Sequence, residues 1–280
     1  MSSGLRKLRL FRCAAATVPI DRASVRGECA EKTPRQVHFL SRSFSLSEAV
    51  AQNPPGECSH CRYLSIASGS NAVLGYIERH EQAAWVIYII SNKQILAKNA
   101  ERSNHSFRRD PAIPTGSASS SDYTRSGFDR GHLAPAADMA YSEQTMRDSF
   151  YMSNISPQRP GFNRGIWKDL EAWVRQTAVK ERLVVVVTGP VFPGRDIQTI
   201  GKNAVTVPSH FYKIVYDLTP PQKMIAFILP NEKSDKPLRA FAVSVDAVER
   251  LTGLDFFSKV SLPEQNEMEK SYSITAWYGL

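Results

Sequence analysis

The sequence lacks any apolar run long enough to cross a membrane. A membrane-spanning helix needs about 20 apolar residues in succession, whereas the longest apolar stretches here, WVIYII at 85–90 and LVVVV at 183–187, have the length of strands. This absence argues against a transmembrane helix and predicts a soluble protein without a membrane partner. With 280 residues, 42% of them hydrophobic, the chain can bury one large core, with or without appendages.

Cysteine is scarce and confined to the first fifth of the chain. The four cysteines are Cys13, Cys29, Cys58 and Cys61. CSHC at 58–61 has the two-residue spacing of a zinc knuckle, but the other two cysteines are not paired at that spacing. The pattern therefore disfavours a zinc site and leaves a disulfide or free thiols, with export favouring the disulfide.

Acidic residues are absent from the first twenty positions. Four basic residues, Arg6, Lys7, Arg9 and Arg12, precede the first acid, Asp21. Such a start is typical of a mitochondrial transit peptide, while Arg12 interrupts the apolar stretch of an export signal. Both a mitochondrial location and secretion or export to a bacterial periplasm stay open. We predict an N-terminal leader or extension over 1–60, a globular domain over 61–258 and a C-terminal tail over 259–280.

Positive charge is concentrated in the leader. The net charge is +8, but residues 1–50 hold nine basic against four acidic residues, which leaves a small excess elsewhere. Charge alone therefore argues weakly for a polyanion. A local cluster is more informative, because guanidinium groups match phosphate oxygens bidentately, although surface arginines are more often only solvated. Its members are Arg102, Arg108, Arg109, Arg125 and Arg130.

The pattern after residue 60 predicts a mixture of strands and helices. Strand-like segments include AVLGYIE, WVIYIIS, RLVVVVTGPVF, HFYKIVYDL and KMIAFILP. Ser142 is predicted to cap a short helix, and Asp246 with Glu249 has the spacing of a capping box for a closing helix that ends near Gly253. Apolar residues with a 3.6-residue period predict a longer helix from Asn163, which can cap its start.

DRGHLAPAAD, at 129–138, suits neither a helix nor an ordinary buried strand, because Gly131 and Pro135 lie so close together. The stretch is suited to presenting side chains. His132 is the side chain best able to accept a proton near neutral pH. A lone histidine is more often structural, but this one follows the arginine cluster and precedes a helix face that carries Asn163 and Glu171.

These groups together match the needs of phosphodiester hydrolysis. The reaction needs a base for water, a cation that neutralises developing charge, and a donor to the phosphate. His132 supplies the base and an arginine the donor. Asn163 offers a neutral hard oxygen suited to Mg²⁺, with Mn²⁺ as an alternative, and Glu171 can hydrogen-bond a water that the cation keeps.

The same residues carry a family resemblance. SGFDRGHLAPAAD together with FYMSNISPQRPGFNRGIWKDLEAWVR resembles the DNA/RNA non-specific endonuclease family, and a looser similarity runs from about residue 73 to the FF of 256–257. The resemblance implies an α+β fold with a central antiparallel sheet flanked by helices and a ββα-metal (His-Me finger) active site. APAADM and RPGFNRGIW are more similar to bacterial members, and we therefore favour a secreted or periplasmic bacterial protein over a mitochondrial one.

The resemblance also implies a role for each residue of the motifs. It makes His132 the general base, Asn163 the direct metal ligand and Glu171 the partner of a metal-bound water. Asn154 corresponds to an asparagine that orients the site, and Asp129 and Arg130 to the charged pair of the motif. The family's upstream arginine, which acts on the scissile phosphate, corresponds to Arg108 or Arg109, and Arg108 is our choice.

The expected substrates are DNA and RNA, cleaved with little sequence preference, because all of these groups address the phosphate and no base-reading motif is evident. A homodimer and an inhibitor protein stay open. Two alternatives remain: a non-catalytic nucleic-acid-binding protein, and a sequence-specific nicking nuclease with the same histidine and metal.

Overall fold

The centre of the structure is a seven-stranded antiparallel sheet. This computed structural model describes residues 37–39, 42–44, 62–65, 72–258, 260 and 262–280. The described strands are β1 (Val37–Phe39), β2 (Arg42–Phe44), β3 (Arg62–Ser65), β4 (Ala72–Ile77), β5 (Gln82–Ser91), β6 (Asp129–His132), β7 (Ile155–Gln158), β8 (Leu183–Val191), β9 (Thr199–Ile200), β10 (Val205–Thr206), β11 (His210–Asp217), β12 (Lys223–Pro230) and β13 (Ala242–Val243). The large sheet has the order β13-β12-β11-β8-β5-β4-β3, and all its neighbouring strands are antiparallel.

Helices cover the sheet and complete the predicted α+β fold. The described α-helices are α1 (Asn92–Leu96), α2 (Glu143–Ser149), α3 (Pro160–Asn163), α4 (Ile166–Glu181), α5 (Val245–Thr252) and α6 (Leu262–Lys270). None of the described helices is both long enough and apolar enough to span a membrane. The prediction of a central antiparallel sheet flanked by helices is confirmed.

The strands at the centre of the sheet are largely apolar because both faces of the sheet are buried. Along β5, Val86 and Tyr88 belong to the core on the α4 side, whereas Ile87 and Ile89 belong to the core that includes Val248 of α5. Successive side chains of a strand point to opposite faces. A strand covered on both sides therefore has no solvent-facing position, which accounts for the unbroken WVIYII.

The helix predicted from Asn163 begins three residues later. Its apolar stripe is buried against the sheet as predicted, but α4 starts at Ile166 with Gly165 at its N-cap position. Asn163 ends the short helix α3, in which Pro160 occupies the first turn. The prediction that Asn163 caps the long helix is therefore wrong. The break frees the Asn163 side chain from capping.

Serines cap the starts of α2 and α5. The Thr145 N–H donates to Ser142 Oγ at 3.1 Å, which confirms Ser142 as the cap of α2. At α5 the Ala247 N–H donates to Ser244 Oγ, so the predicted capping box at Asp246 and Glu249 is wrong. The predicted end at Gly253 is confirmed, with φ 71° there, a left-handed conformation that glycine adopts without strain.

The C-terminal residues pack against α4. The Trp277 ring lies 5.8 Å from that of Trp173, and Trp173 Nε1 donates to the Tyr278 carbonyl at 2.8 Å. Residues 262–270, predicted as part of a polar tail, form α6. The domain boundaries at 60 and 258 stay predictions. Within the predicted leader over 1–60 the structure describes β1 and β2, whereas the four cysteines lie outside the described residues.

Candidate active site

The DRGH motif is one strand of a small two-stranded sheet. β6 pairs antiparallel with β7, so that Asp129 lies opposite Gln158 and His132 opposite Ile155. α3 and α4 follow β7 directly along the chain. The two motifs recognised in the sequence therefore fold into a single ββα unit.

Close packing fixes the strand pair at Gly131. A Cβ on Gly131 would lie 2.1 Å from Gln158 Cδ and 2.2 Å from its Oε1. Gln158 is fully buried, and neither of its amide atoms has a hydrogen-bond partner in the described part of the chain. The motif needs glycine here because the Gln158 side chain occupies the space of a side chain at 131.

His132 ends β6 in a pocket of aromatic rings. Its ring centroid lies 5.1 Å from that of Phe150 and 5.5 Å from that of Phe107. Burial, aided by the positive charge of Arg102, lowers the pKa of His132 to about 3. Its Nε2 is buried without a hydrogen-bond partner among the described residues. His132 is therefore neutral at pH 7.

Asp129 orients the side chain of Asn163. Asn163 Nδ2 donates to Asp129 Oδ2 at 2.9 Å, and Arg164 donates to both carboxylate oxygens, from Nε at 2.8 Å and Nη2 at 2.6 Å. Partial burial opposes ionisation, but these donors lower the pKa of Asp129 overall. A carboxylate can only accept, so it selects the amide nitrogen of Asn163 and leaves its oxygen Oδ1 directed elsewhere.

Glu171 lies half-buried on α4 among other charged groups. Burial raises the pKa of Glu171, and the positive charge of Lys213 opposes that rise. Asp138 and Arg175 are further charged neighbours, and they bind each other at 3.0 Å. Glu171 itself makes no hydrogen bond or ion pair with the described residues, so its carboxylate is available to another partner.

Asn154 is a buried link between backbone segments. Its Nδ2 donates to the carbonyls of Ala134 and Ser149 at 2.9 and 2.8 Å, and its Oδ1 accepts from the Ala134 N–H at 2.9 Å. The Leu133 N–H donates to the Asn154 carbonyl at 2.9 Å. These bonds hold the chain that follows His132, and they use the amide fully.

The upstream arginines differ in how much of their guanidinium group is engaged. Arg108 donates to the buried Asp148 at 3.3 Å and lies 4.2 Å from the Tyr151 ring centroid. Arg109 donates to the Ser117 carbonyl at 2.5 Å, and Arg130 to the Ser120 carbonyl at 2.6 Å. Arg102 is exposed, 5.9 Å from the Phe150 ring centroid, and its charge acts on both His132 and Glu171.

The structure adds residues that sequence reasoning missed. The arginine cluster included Arg102, but nothing local in the sequence distinguished it from Arg108. Lys213 had no signal at all in HFYKIVYD, where one lysine within a strand reads as solvent-facing. The rings of Phe107 and Phe150 are likewise brought to His132 only by the fold.

The residues present fit a hard divalent cation. Asn163 Oδ1 is a neutral oxygen without a donor among the described residues, and the Glu171 carboxylate is also unpaired. Oxygen donors of this kind, few in number, suit a cation that keeps several waters.

Comparison with known proteins agrees with this geometry. The model of the DNA/RNA non-specific endonuclease family matches residues 65–262. The mitochondrial nuclease of Saccharomyces cerevisiae is 38% identical over 66% of this chain and 63% of its own length. The mitochondrial nuclease EXOG of Danio rerio is 36% identical over 84% of this chain and 69% of its own. A chain in the crystal structure of the EndoG/EndoGI complex has a TM-score of 0.66 and 34% identity, over 73% of this chain and 88% of that one.

The fold and the site define a ββα-metal nuclease, in which a histidine strand and an asparagine-bearing helix face each other. The chain belongs to the DNA/RNA non-specific endonuclease family. The predictions of this family and of a metal-dependent endonuclease are thereby confirmed. The relatives named above do not support the preference for a secreted bacterial protein.

Proposed function

We propose that the protein hydrolyses phosphodiester bonds of both DNA and RNA without selecting a sequence, with His132 as general base and Mg²⁺ as the cation. The observation that carries this proposal is the position of His132 at the end of β6 in the ββα unit, with its ring neutral at pH 7. A general base must be unprotonated at the working pH, and the neutral imidazole of His132 meets that requirement.

The residues of the site divide the work. His132 takes a proton from the attacking water as the water oxygen bonds to phosphorus and the bond to the leaving oxygen breaks. Asn163 Oδ1 would hold the cation, and Glu171 would accept a hydrogen bond from one of its waters. When bound, the cation supplies positive charge that stabilises the charge developing on the phosphate oxygens.

The phosphate itself is assigned to Arg102. Its guanidinium is exposed and acts electrostatically on both His132 and Glu171, whereas Arg108 is engaged by Asp148 and Tyr151. Arg108 thereby becomes a structural residue. Asp129 and Asn154 are positioning residues because their polar groups are bonded within the protein, and Arg130 joins them because its Nη2 donates to the Ser120 carbonyl.

The test is cleavage of a supercoiled plasmid and a structured RNA at low salt with Mg²⁺, with Mn²⁺ and with EDTA. We expect both substrates to be degraded with either metal and to survive in EDTA. His132→Ala should abolish cleavage, and His210→Ala, at the start of β11, should not. A folded protein that binds nucleic acid but cleaves neither substrate would instead support the binding-protein alternative, and a few discrete plasmid fragments the nicking nuclease.

The N-terminal leader and the named relatives together indicate where in the cell the protein acts. Two of the relatives above are mitochondrial by name, and the leader is basic before Asp21. A mitochondrial location is therefore our choice. Imaging of the full chain with a C-terminal fluorescent tag should show mitochondria, and replacement of Arg6, Lys7, Arg9 and Arg12 by serine should disperse it.

An inhibitor protein would protect nucleic acid from a nuclease without sequence preference. The structure of the EndoG/EndoGI complex shows such inhibition for a similar protein. Copurification with the catalytically silent His132→Ala chain, followed by inhibition of the wild-type enzyme with the captured protein, would test this. A captured protein that leaves cleavage unchanged would argue against it.

A further inference from the structure

Lys213 is a fully buried lysine between the sheet and α4. None of its surface is exposed. Its Nζ donates to Thr188 Oγ1 at 2.5 Å, across the β11–β8 pair, and lies 4.7 Å from the ring centroid of Trp167 on α4. Lysine is almost never fully buried without a partner, since its ammonium loses its hydration. A partner for this charge is therefore expected.

Glu171 is the acid that can balance the positive charge of Lys213. No carboxylate of the described residues forms an ion pair with Lys213 within 4.0 Å, and the two acids whose charge acts on it are Glu171 and Asp138. Asp138 already accepts from Arg175 at 3.0 Å and from the Tyr88 hydroxyl at 2.7 Å. Glu171 has no such bond among the described residues. Lys213 Nζ lies over the Trp167 ring, and Glu171 follows Trp167 by four residues on α4, so the ammonium and this carboxylate lie along the same face of the helix.

We infer that Lys213 is a positioning residue of the nuclease site, whose buried ammonium keeps Glu171 ionised and directed toward the water of the bound cation. The inference rests on the proposed function. The charged and titratable groups that face Glu171 are Lys213 from β11, Asp138 from the turn after β6, Arg175 from α4, Arg102 from the turn at 102–104 and Tyr88 from β5. Of the cations, only Lys213 is wholly buried, so its charge is the least screened by solvent.

The alternative is a purely structural lysine that only spaces α4 from β11. The two roles differ in what a methionine would change, because an apolar residue of similar volume often replaces a buried ion without loss of stability. Thr188→Val is the matched control: it removes the hydrogen-bond partner of Nζ and keeps the charge.

The experiment measures Mn²⁺ binding by electron paramagnetic resonance, the pH dependence of plasmid cleavage and the Tm. For Lys213→Met we expect about tenfold or greater weakening of Mn²⁺ binding, and a cleavage rate that is low at pH 7 and recovers as pH rises. Thr188→Val should keep Mn²⁺ binding and the pH dependence of cleavage near those of the wild type. Adding Lys213→Met to Glu171→Gln should cause no further loss of binding.

Wild-type Mn²⁺ affinity and an unchanged pH profile in Lys213→Met would overturn the inference, as would additive losses in the double variant. If Lys213→Met does not fold, the Tm of Glu171→Gln decides, because an unbalanced ammonium should lower it, and an unchanged Tm counts against the pairing. Absence of cleavage by the wild-type enzyme would instead contradict the proposed function. The Mn²⁺ measurements would still test whether Lys213 and Glu171 act as a pair.

Discussion

Arg102 and Arg108 belong to the same arginine cluster in the sequence, but their side chains have different contacts. Arg102 is exposed, whereas Arg108 contacts Asp148 and Tyr151. Arg102 is free to reach a phosphate, so Arg102→Ala should lower kcat by about 10²-fold, the cost of losing one preorganised donor to a developing oxyanion. Arg108→Ala should mainly lower the Tm, because it leaves the buried Asp148 without its cation. Single-turnover cleavage and thermal unfolding of both variants check this. The reverse result, activity lost only in Arg108→Ala, would return the role to Arg108.

His132 links the proposed base to stability. Its pKa is about 3 in the folded protein and about 6.5 in the unfolded chain. Below pH 6.5 the unfolded chain therefore binds a proton that the folded protein excludes, and stability is lost as pH falls. The free energy of unfolding should decrease by up to about 1.4 kcal/mol per pH unit between these values.

His132→Asn removes that contribution. Urea unfolding of both proteins at pH 7, 6, 5 and 4 should show a shallower decline for the variant. His80, whose pKa is also lowered by burial, is unchanged in both proteins and cancels in the comparison. Parallel curves would mean that His132 is not protected from protonation, and the argument for a neutral base at acidic pH would fail.

At the scale of elements, Asn154 ties the end of β6 to the end of α2. Asn154→Ala would leave three backbone groups unsatisfied in a fully buried position, namely the N–H and C=O of Ala134 and the C=O of Ser149. Each buried unsatisfied group costs about 1–3 kcal/mol. Stability and cleavage should therefore fall together.

His132→Ala provides the contrast, since it should abolish cleavage while the protein stays folded. Guanidinium unfolding and plasmid cleavage of the two variants give the comparison. An Asn154→Ala protein as stable as the wild type but inactive would show that Asn154 acts on the substrate rather than on the fold.

Much of the element structure could be predicted from local pattern. The strands around WVIYII and VVVV, the apolar stripe of α4 and the caps at Ser142 and Gly253 all follow from residues close together in the chain. The sequence did not predict the break between α3 and α4 at Arg164–Gly165. Asn163 is a favourable N-cap residue, so it was interpreted as the start of the long helix rather than as the end of α3. At α5, Ser244 was available as a cap one position before the helix, but the acidic spacing at 246–249 was the stronger pattern.

The site could be predicted only as far as its motifs reach. His132, Asn163 and Glu171 were predicted because they lie in the two motifs that resemble the nuclease family. The bond from Asn163 to Asp129, the engagement of Arg108 by Asp148 and the position of Lys213 under α4 depend on contacts between distant segments. The spacing of residues in the sequence does not specify contacts between distant segments, so only the folded structure shows them.

At the scale of the whole molecule, charge decides how the enzyme holds nucleic acid. The net charge of +8 lies mostly in the first 50 residues, so the rest of the chain must bind phosphates through a few placed groups rather than a broad basic field. Binding that releases counterions weakens with salt, and the slope of log K against log[salt] is about −0.9 per phosphate neutralised on duplex DNA.

The catalytically silent His132→Ala chain makes that slope measurable without cleavage. Fluorescence anisotropy with a duplex of mixed sequence should give a slope that becomes shallower by about one unit when Arg102→Ala is added. Arg108→Ala should leave the slope unchanged, because its guanidinium already faces Asp148. The affinities should be nearly equal for duplexes of unrelated sequence at each salt concentration. A strong preference for one duplex would contradict phosphate-only contacts and would point to base reading by residues not yet assigned to it.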